Sequence, residues 1–201
     1  MTKSVFKIGI AGGSASGKST LATAIVNELS KRQPGLCAQV MSADSYFRFD
    51  EPDMPTFILS STGEELPDCN QPNSIDYARL IADFDARCRA EDAPDVLIVE
   101  GLMILYVPEL RQRFDLRLFV ELDADERALR RLVRNVYRDQ DPITKHDPRL
   151  IAQYYLDSAK NSHALYTEPT RVYADLILRG DGDFARTSAY IADVVLANVG
   201  T

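Results

Sequence analysis

No run of apolar residues in this chain approaches the roughly 20 that a membrane-spanning helix needs, so nothing in it points to a membrane. Too few residues precede the first apolar segment, Val5 to Ala11, to form a secretory leader, and a cytoplasmic protein is expected. Cysteine is scarce. Cys37, Cys69 and Cys88 have no CxxC spacing and no histidine nearby, which argues against a disulfide frame or a zinc site and for reduced thiols. Internal repeats and low-complexity segments are absent. The formal net charge of -7 argues against a nucleic-acid partner, although a local basic stripe exists. The remaining composition, 45% hydrophobic and 26% charged over 201 residues, suits one domain, residues 1–201, with a sizeable core.

Strand and helix patterns alternate along the chain. Val5 to Ala11, Ala38 to Ser42, Asp95 to Val99, Leu116 to Val120 and Ala174 to Leu178 are short apolar runs that read as strands. Between them lie helical stretches: Lys18 to Arg32, one after an N-cap at Ser74, Ala124 to Tyr137, one ending before Pro169, and Asp183 to Ala197. This order predicts an α/β fold with a parallel sheet of about five strands covered by helices on both faces, its ligands at the carboxyl ends of the strands. Residues 44–73 hold four prolines and many polar residues, and read as a long functional loop on the acceptor side.

Gly12-Gly13-Ser14-Ala15-Ser16-Gly17-Lys18-Ser19 fits G-x-x-x-x-G-K-[ST] without a mismatch, and Thr20 follows it. Chance would give such a string in on the order of one per cent of chains this long. Its position between a strand and a helix is what a phosphate-binding loop requires. In this reading Lys18 reaches the β- and γ-phosphates of ATP, and Ser19 coordinates Mg²⁺. The other reading of the string, a glycine-rich turn without a ligand, fits its specificity poorly. A phosphate loop does not by itself separate a kinase from a switch or a motor.

Two acids stand at the ends of other strands. Asp44 is placed to take the proton of an attacking hydroxyl, or merely to form a turn. Glu100 follows Asp95 to Val99, where such proteins carry the acid that holds Mg²⁺ or its waters. Arg127, Arg131, Arg134 and Arg138 recur along one helical face, with Leu129, Leu132, Val133 and Val136 opposite and expected to face the sheet. The stripe reads as a lid over about 127–147, with Arg131 and Arg134 clamping the transferred phosphoryl group. The competing reading is a solvated basic face neutralised by Asp123, Asp125 and Glu126.

With these residues in hand, the sequence resembles the uridine kinase and phosphoribulokinase family. Its phosphate loop is similar almost letter for letter, and Asp44-Ser45-Tyr46-Phe47 resembles the family's Asp-Ser-Phe-Tyr, whose Asp is the catalytic base. Val99-Glu100-Gly101, Arg130-Arg131-Leu-Val-Arg134, Gln153-Tyr154 and Tyr173-Ala-Asp175 to Arg179-Gly180 match further motifs in order. The resemblance implies an acceptor site holding Asp44, Tyr46, Asn70, Arg131 and Gln153. Two features depart from the family. Cys69-Asn70-Gln71-Pro72-Asn73 stands where uridine kinases have Phe-Asp-His-Pro-Asp, and only Ala90 to Pro94 occupies the place of their base-reading hairpin. Nicotinamide riboside kinases also lack that hairpin.

The expectation is therefore an ATP- and Mg²⁺-dependent kinase, possessing a P-loop kinase fold, that phosphorylates a primary hydroxyl of a small metabolite such as a ribonucleoside. Nicotinamide riboside or a sugar acid are the alternative acceptors, and a nucleotide-binding switch is the rival from another class. No nucleic-acid partner is expected, and assembly into a homo-oligomer stays open.

Overall fold

The computed structural model describes residues 4–137, 143–144 and 146–199. Arg138 and the residues at 139–142 and 145 of the expected lid lie outside that set. Among the described residues, strands and α-helical segments follow in the order β1 (Phe6–Gly12), α1 (Lys18–Arg32), β2 (Ala38–Ser42), β3 (Thr56–Ile58), β4 (Glu65–Pro67), α2 (Tyr77–Arg89), β5 (Val96–Glu100), α3 (Pro108–Arg111), β6 (Leu116–Glu121), α4 (Ala124–Val136), α5 (Pro148–Tyr154), α6 (Lys160–Ser162), β7 (Leu176–Arg179) and α7 (Phe184–Leu196).

Five strands form one parallel sheet in the order β2-β5-β1-β6-β7. The alternation of side chains divides its apolar residues between two cores. Ile8, Ile10, Val96, Ile98, Leu118 and Val120 meet Leu21, Ile25 and Leu29 of α1 and Ile191 and Val195 of α7. Leu97, Val99 and Phe119 face the other way, onto Leu80 and Phe84 of α2 and onto Ile104, Leu105 and Leu110. The stretch Val96–Val99 of β5, buried on both faces of the sheet, thus needs an unbroken apolar run, and the charged Glu100 comes only at its carboxyl end. Each large side chain buried there contributes about 1.5–3 kcal/mol. Among the described residues no helix is long and apolar enough to cross a membrane.

Four details differ from the sequence reading. The loop at 44–73 contains an antiparallel hairpin, β3–β4. Its turn is tied down: Leu59 is buried, and the Ser60 amide donates to Asp157 at 2.8 Å. Helix α2 is capped by Asp76, whose carboxylate accepts from the Arg79 amide, and not by Ser74. The helix expected before Pro169 is not uniform. Wider π-type turns at Tyr155–Ala159 and His163–Thr167 flank α6, and a 3₁₀ segment, Glu168–Tyr173, completes it.

The fourth difference concerns α4, which is turned over. Leu129 and Val133 are 65% and 60% exposed, whereas Arg127 and Arg131 are each only 6% exposed. The helix crosses the carboxyl ends of the strands instead of lying on the apolar face of the sheet. Its inner face therefore meets the polar phosphate loop and the start of the 148–173 segment. Arginine stems pack there while their heads stay near polar groups; Leu129 and Val133 turn outward, and Leu132 and Val136 are half-buried.

Candidate active site

The phosphate loop connects β1 to α1 through backbone that few residue types adopt. Gly17 has φ +104°, and a Cβ there would lie 2.7 Å from the Phe184 ring; Ala15 is held at φ 64°. At Gly13 the missing side chain makes room for Arg127, whose Nη1 would be 2.8 Å from a Cβ. Lys18 is buried, and its Nζ donates to the Gly13 carbonyl at 3.0 Å. Burial pulls the Lys18 pKa below its ordinary value; Glu100 and Asp44 oppose that shift, while Arg134 and Arg127 add to it. The hydroxyl of Ser16 is buried and has no hydrogen-bond partner among the described residues. An orphaned donor beside a buried lysine and a helix start suits a phosphate oxygen.

A cavity of about 210 Å³ opens in front of the loop. Ser14, Lys18 and Ser19 form one wall; Asp44, Asn70, Glu100, Arg131 and Arg134 contribute further charged and polar groups. Most residues expected from the sequence thus converge. Glu100 is buried and accepts from Ser42 Oγ at 2.8 Å. Ser42 Oγ in turn accepts from the Asp44 amide, which fixes the turn after β2. Arg134 reaches across from α4 and donates to Ser14 Oγ at 3.2 Å. Arg131 lies over the Tyr154 ring at 4.7 Å. Thr20 is exposed on α1.

Two expected residues are not brought to the cavity. The Tyr46 hydroxyl donates to Asp83 of α2 at 3.0 Å, because the 3₁₀ turn at Ala43–Tyr46 aims it at that helix. Gln153 donates to Ser60 Oγ at 2.6 Å and to Asp157. It fastens the hairpin and does not line the site. In each case the next residue along the chain does: Phe47 and Tyr154 line the cavity together with Phe49, Cys69 and Leu102. Phe47 and Phe49 form a tilted pair with centroids 5.5 Å apart. Burial pushes the Cys69 thiol up to about 12, so it is an unreactive wall residue. Tyr154 was within reach of sequence reasoning as the partner of Gln153; one residue on a helix turns a side chain by about 100°.

The charges do not balance. Among the described residues, three cations, Lys18, Arg131 and Arg134, line the cavity against two carboxylates, Asp44 and Glu100. Burial lowers the Arg127 pKa, and Arg131 Nε has no partner among the described residues. Such an excess of cations fits a polyphosphate. For Mg²⁺ the fitting donors are the exposed Ser19 hydroxyl and Glu100, which line one opening beside Asp44. This small hard-oxygen set leaves most positions to water and phosphate, as Mg²⁺ prefers.

The model of the phosphoribulokinase / uridine kinase family matches residues 82–183. A uridine kinase of Clostridium botulinum (strain Kyoto / Type A2) is 30% identical over 208 aligned positions, covering 96% of this chain and 94% of that protein. The chain belongs to the phosphoribulokinase / uridine kinase family. A uridine kinase of Alkaliphilus metalliredigens (strain QYMF) is likewise 30% identical, covering 100% of this chain and 97% of its own length. Among solved structures, a Silicibacter sp. TM1040 protein provisionally named a fructose transport system kinase superposes with a TM-score of 0.60. It is 18% identical, covering 87% of this chain and 89% of that one, and supports the fold alone. This family member is thus a P-loop kinase, a nucleotide-using phosphotransferase that acts on a hydroxyl group of a small molecule.

Proposed function

We propose that the enzyme transfers the γ-phosphoryl group of ATP, with Mg²⁺, to a primary hydroxyl of a ribonucleoside-like metabolite. The observation that carries this reading is the single cavity joining Lys18 and Ser19 to Asp44, walled by Phe47, Phe49 and Tyr154. In it the acceptor hydroxyl oxygen attacks the γ-phosphorus while its proton passes to Asp44, and the bond to the β–γ bridging oxygen breaks to release ADP. Lys18, Arg131 and Arg134 neutralise charge that grows on the transferring group. Ser19 and Glu100 would hold Mg²⁺, which adds Lewis-acid polarisation of the phosphates. Aromatic walls suit a flat base, and relatives at 30% identity carry the name uridine kinase. The residue pattern at Cys69–Asn73 and the short α2–β5 connection argue for a base site less exacting than a hydrogen-bonded reading pocket.

The test is ATP-dependent ADP release against uridine, cytidine, a purine nucleoside, nicotinamide riboside and a few sugar acids. Turnover of several nucleosides within about 10²-fold in kcat/KM is expected. Turnover of sugar acids alone would replace the nucleoside reading. Slow ATP hydrolysis that no acceptor stimulates would favour the nucleotide switch.

A further inference from the structure

Beneath the acceptor cavity lies a buried carboxylate that the phosphoryl-transfer chemistry does not use. Asp68 is 2% exposed and forms no salt bridge among the described residues. Its Oδ1 accepts from the Asn70 amide N–H at 2.9 Å, from Asn70 Nδ2 at 3.0 Å and from Ser158 Oγ at 2.6 Å. Its Oδ2 accepts from Gln71 Nε2 at 3.1 Å. Burying a carboxylate among neutral donors alone is costly compared with an apolar residue of the same size. The network does one thing that an apolar residue could not: it sets the orientation of Asn70.

A carboxylate only accepts, so the Asn70 side chain must turn its nitrogen toward it. The two protons of Nδ2 are then shared among Asp68, Tyr154 Oη at 3.0 Å and Ser158 Oγ at 3.0 Å. Asn70 lines the cavity, and the amide's remaining polar atom is its carbonyl oxygen. Tyr154 Oη accepts from Asn70 and from the Cys69 amide at 3.1 Å, so its remaining capacity is its proton. Burial raises the Tyr154 pKa, which keeps that proton in place.

We propose that Asp68 is a positioning residue for the acceptor: it locks Asn70 with its nitrogen inward, so that the cavity offers a carbonyl oxygen to a ligand hydroxyl. A group that donates, such as a ribose hydroxyl, is matched at this point, and a carboxylate is repelled. The inference rests on the nucleoside-like reading given above and names the groups that read its sugar.

The test uses the whole chain and two acceptors, uridine and 2′-deoxy-2′-fluorouridine, whose fluorine cannot donate. The parent should favour uridine by at least about 10-fold in kcat/KM. In Asp68→Asn the neighbouring amide is free to flip, and that preference should fall to within about 2-fold, chiefly through KM for uridine, with KM for ATP unchanged. The double exchange Asp68→Asn, Asn70→Asp keeps a donor facing an acceptor and should restore the preference. Retention of the parent's preference in Asp68→Asn, or an equal loss on both acceptors, would overturn the proposal. A second readout needs no acceptor: the Asn70 side-chain N–H₂ protons, followed by ¹⁵N NMR, should exchange slowly in the parent and fast in Asp68→Asn. Fast exchange in the parent overturns the lock even if uridine is phosphorylated. Slow exchange without turnover of any nucleoside upholds the lock and removes the acceptor reading instead.

Discussion

Arg131 should be a residue that the unliganded protein is better off without. Arg131 is buried, only 6% exposed, and its Nε has no hydrogen-bond partner among the described residues. Its one favourable ring contact is with Tyr154 at 4.7 Å. Replacing buried ionic groups by well-packed apolar ones of similar volume is often neutral or stabilising by about 1–4 kcal/mol. Losing the cation–π contact costs about 0.5–2 kcal/mol. Arg131→Leu should therefore stabilise the unliganded chain by about 1 kcal/mol, raising Tm by about 2–4 °C for a chain of this size. The same change should lower kcat by about 10²–10³-fold, because the charge is most needed when the phosphoryl group is in transit. Differential scanning fluorimetry without ligand, and again with Mg²⁺ and ATP, checks both halves. The parent should gain more from nucleotide than the variant does. A fall of more than about 4 °C without ligand would mean that Arg131 is part of the framework, and the electrostatic argument would be refuted. A kcat within a few-fold of the parent would refute the phosphate role.

Four further outcomes follow from the same geometry. Lys18→Ala should abolish turnover, by about 10³-fold or more, while leaving the cooperative thermal transition in place; activity within a few-fold would remove the phosphate-loop assignment. Asp44→Asn should lower kcat by about 10²-fold or more with little change in ATP affinity, whereas weakened ATP binding at normal kcat would place Asp44 with the metal. Leu129→Gln with Val133→Gln should change stability by no more than about 0.5 kcal/mol each, as for exposed positions; a large loss in urea unfolding would mean that α4 is packed the other way. His163 is pushed down to about 4 by burial and by the charges of Arg127 and Lys18. Between pH 6.5 and 4 the unfolded chain therefore takes up a proton that the folded one refuses, so stability is lost as pH falls through this window. His163→Gln should show a shallower fall of Tm over the same range, and an unchanged slope would count against a neutral His163.

Where a pattern is local, the sequence was readable. The boundaries of α1, the apolar run Val96–Val99 of β5 and the strand–loop–helix around Lys18 follow from residues adjacent in the chain. Asp44, Glu100 and the α4 arginines stand out because each follows a strand or repeats along a helix, whereas Asn70 is reached only through the resemblance to the family's acceptor motif. What failed depends on which neighbour a face meets. The pattern of α4 shows two faces but does not say that the inner one meets a polar loop. Tyr46 and Gln153 are each one residue from a side chain that does line the cavity, and a motif shared by two adjacent residues does not tell which of them turns inward. Asp68 gives no signal at all, since its importance comes from Ser158, which lies 90 residues further on.

The stapling of the β3–β4 hairpin has a consequence for the entropy of binding. A proline-rich stretch of this length would ordinarily have to be ordered when the acceptor arrives, at a cost of about 1–2 kcal/mol for every residue fixed. Here Phe57 packs against Tyr154 as a tilted ring pair with centroids 4.9 Å apart, and Ser60 is held by Gln153 and Asp157, so that cost is met when the chain folds. Amide exchange in the hairpin should therefore be slow without ligand, and acceptor binding should show a modest entropy term and little change in heat capacity from this segment.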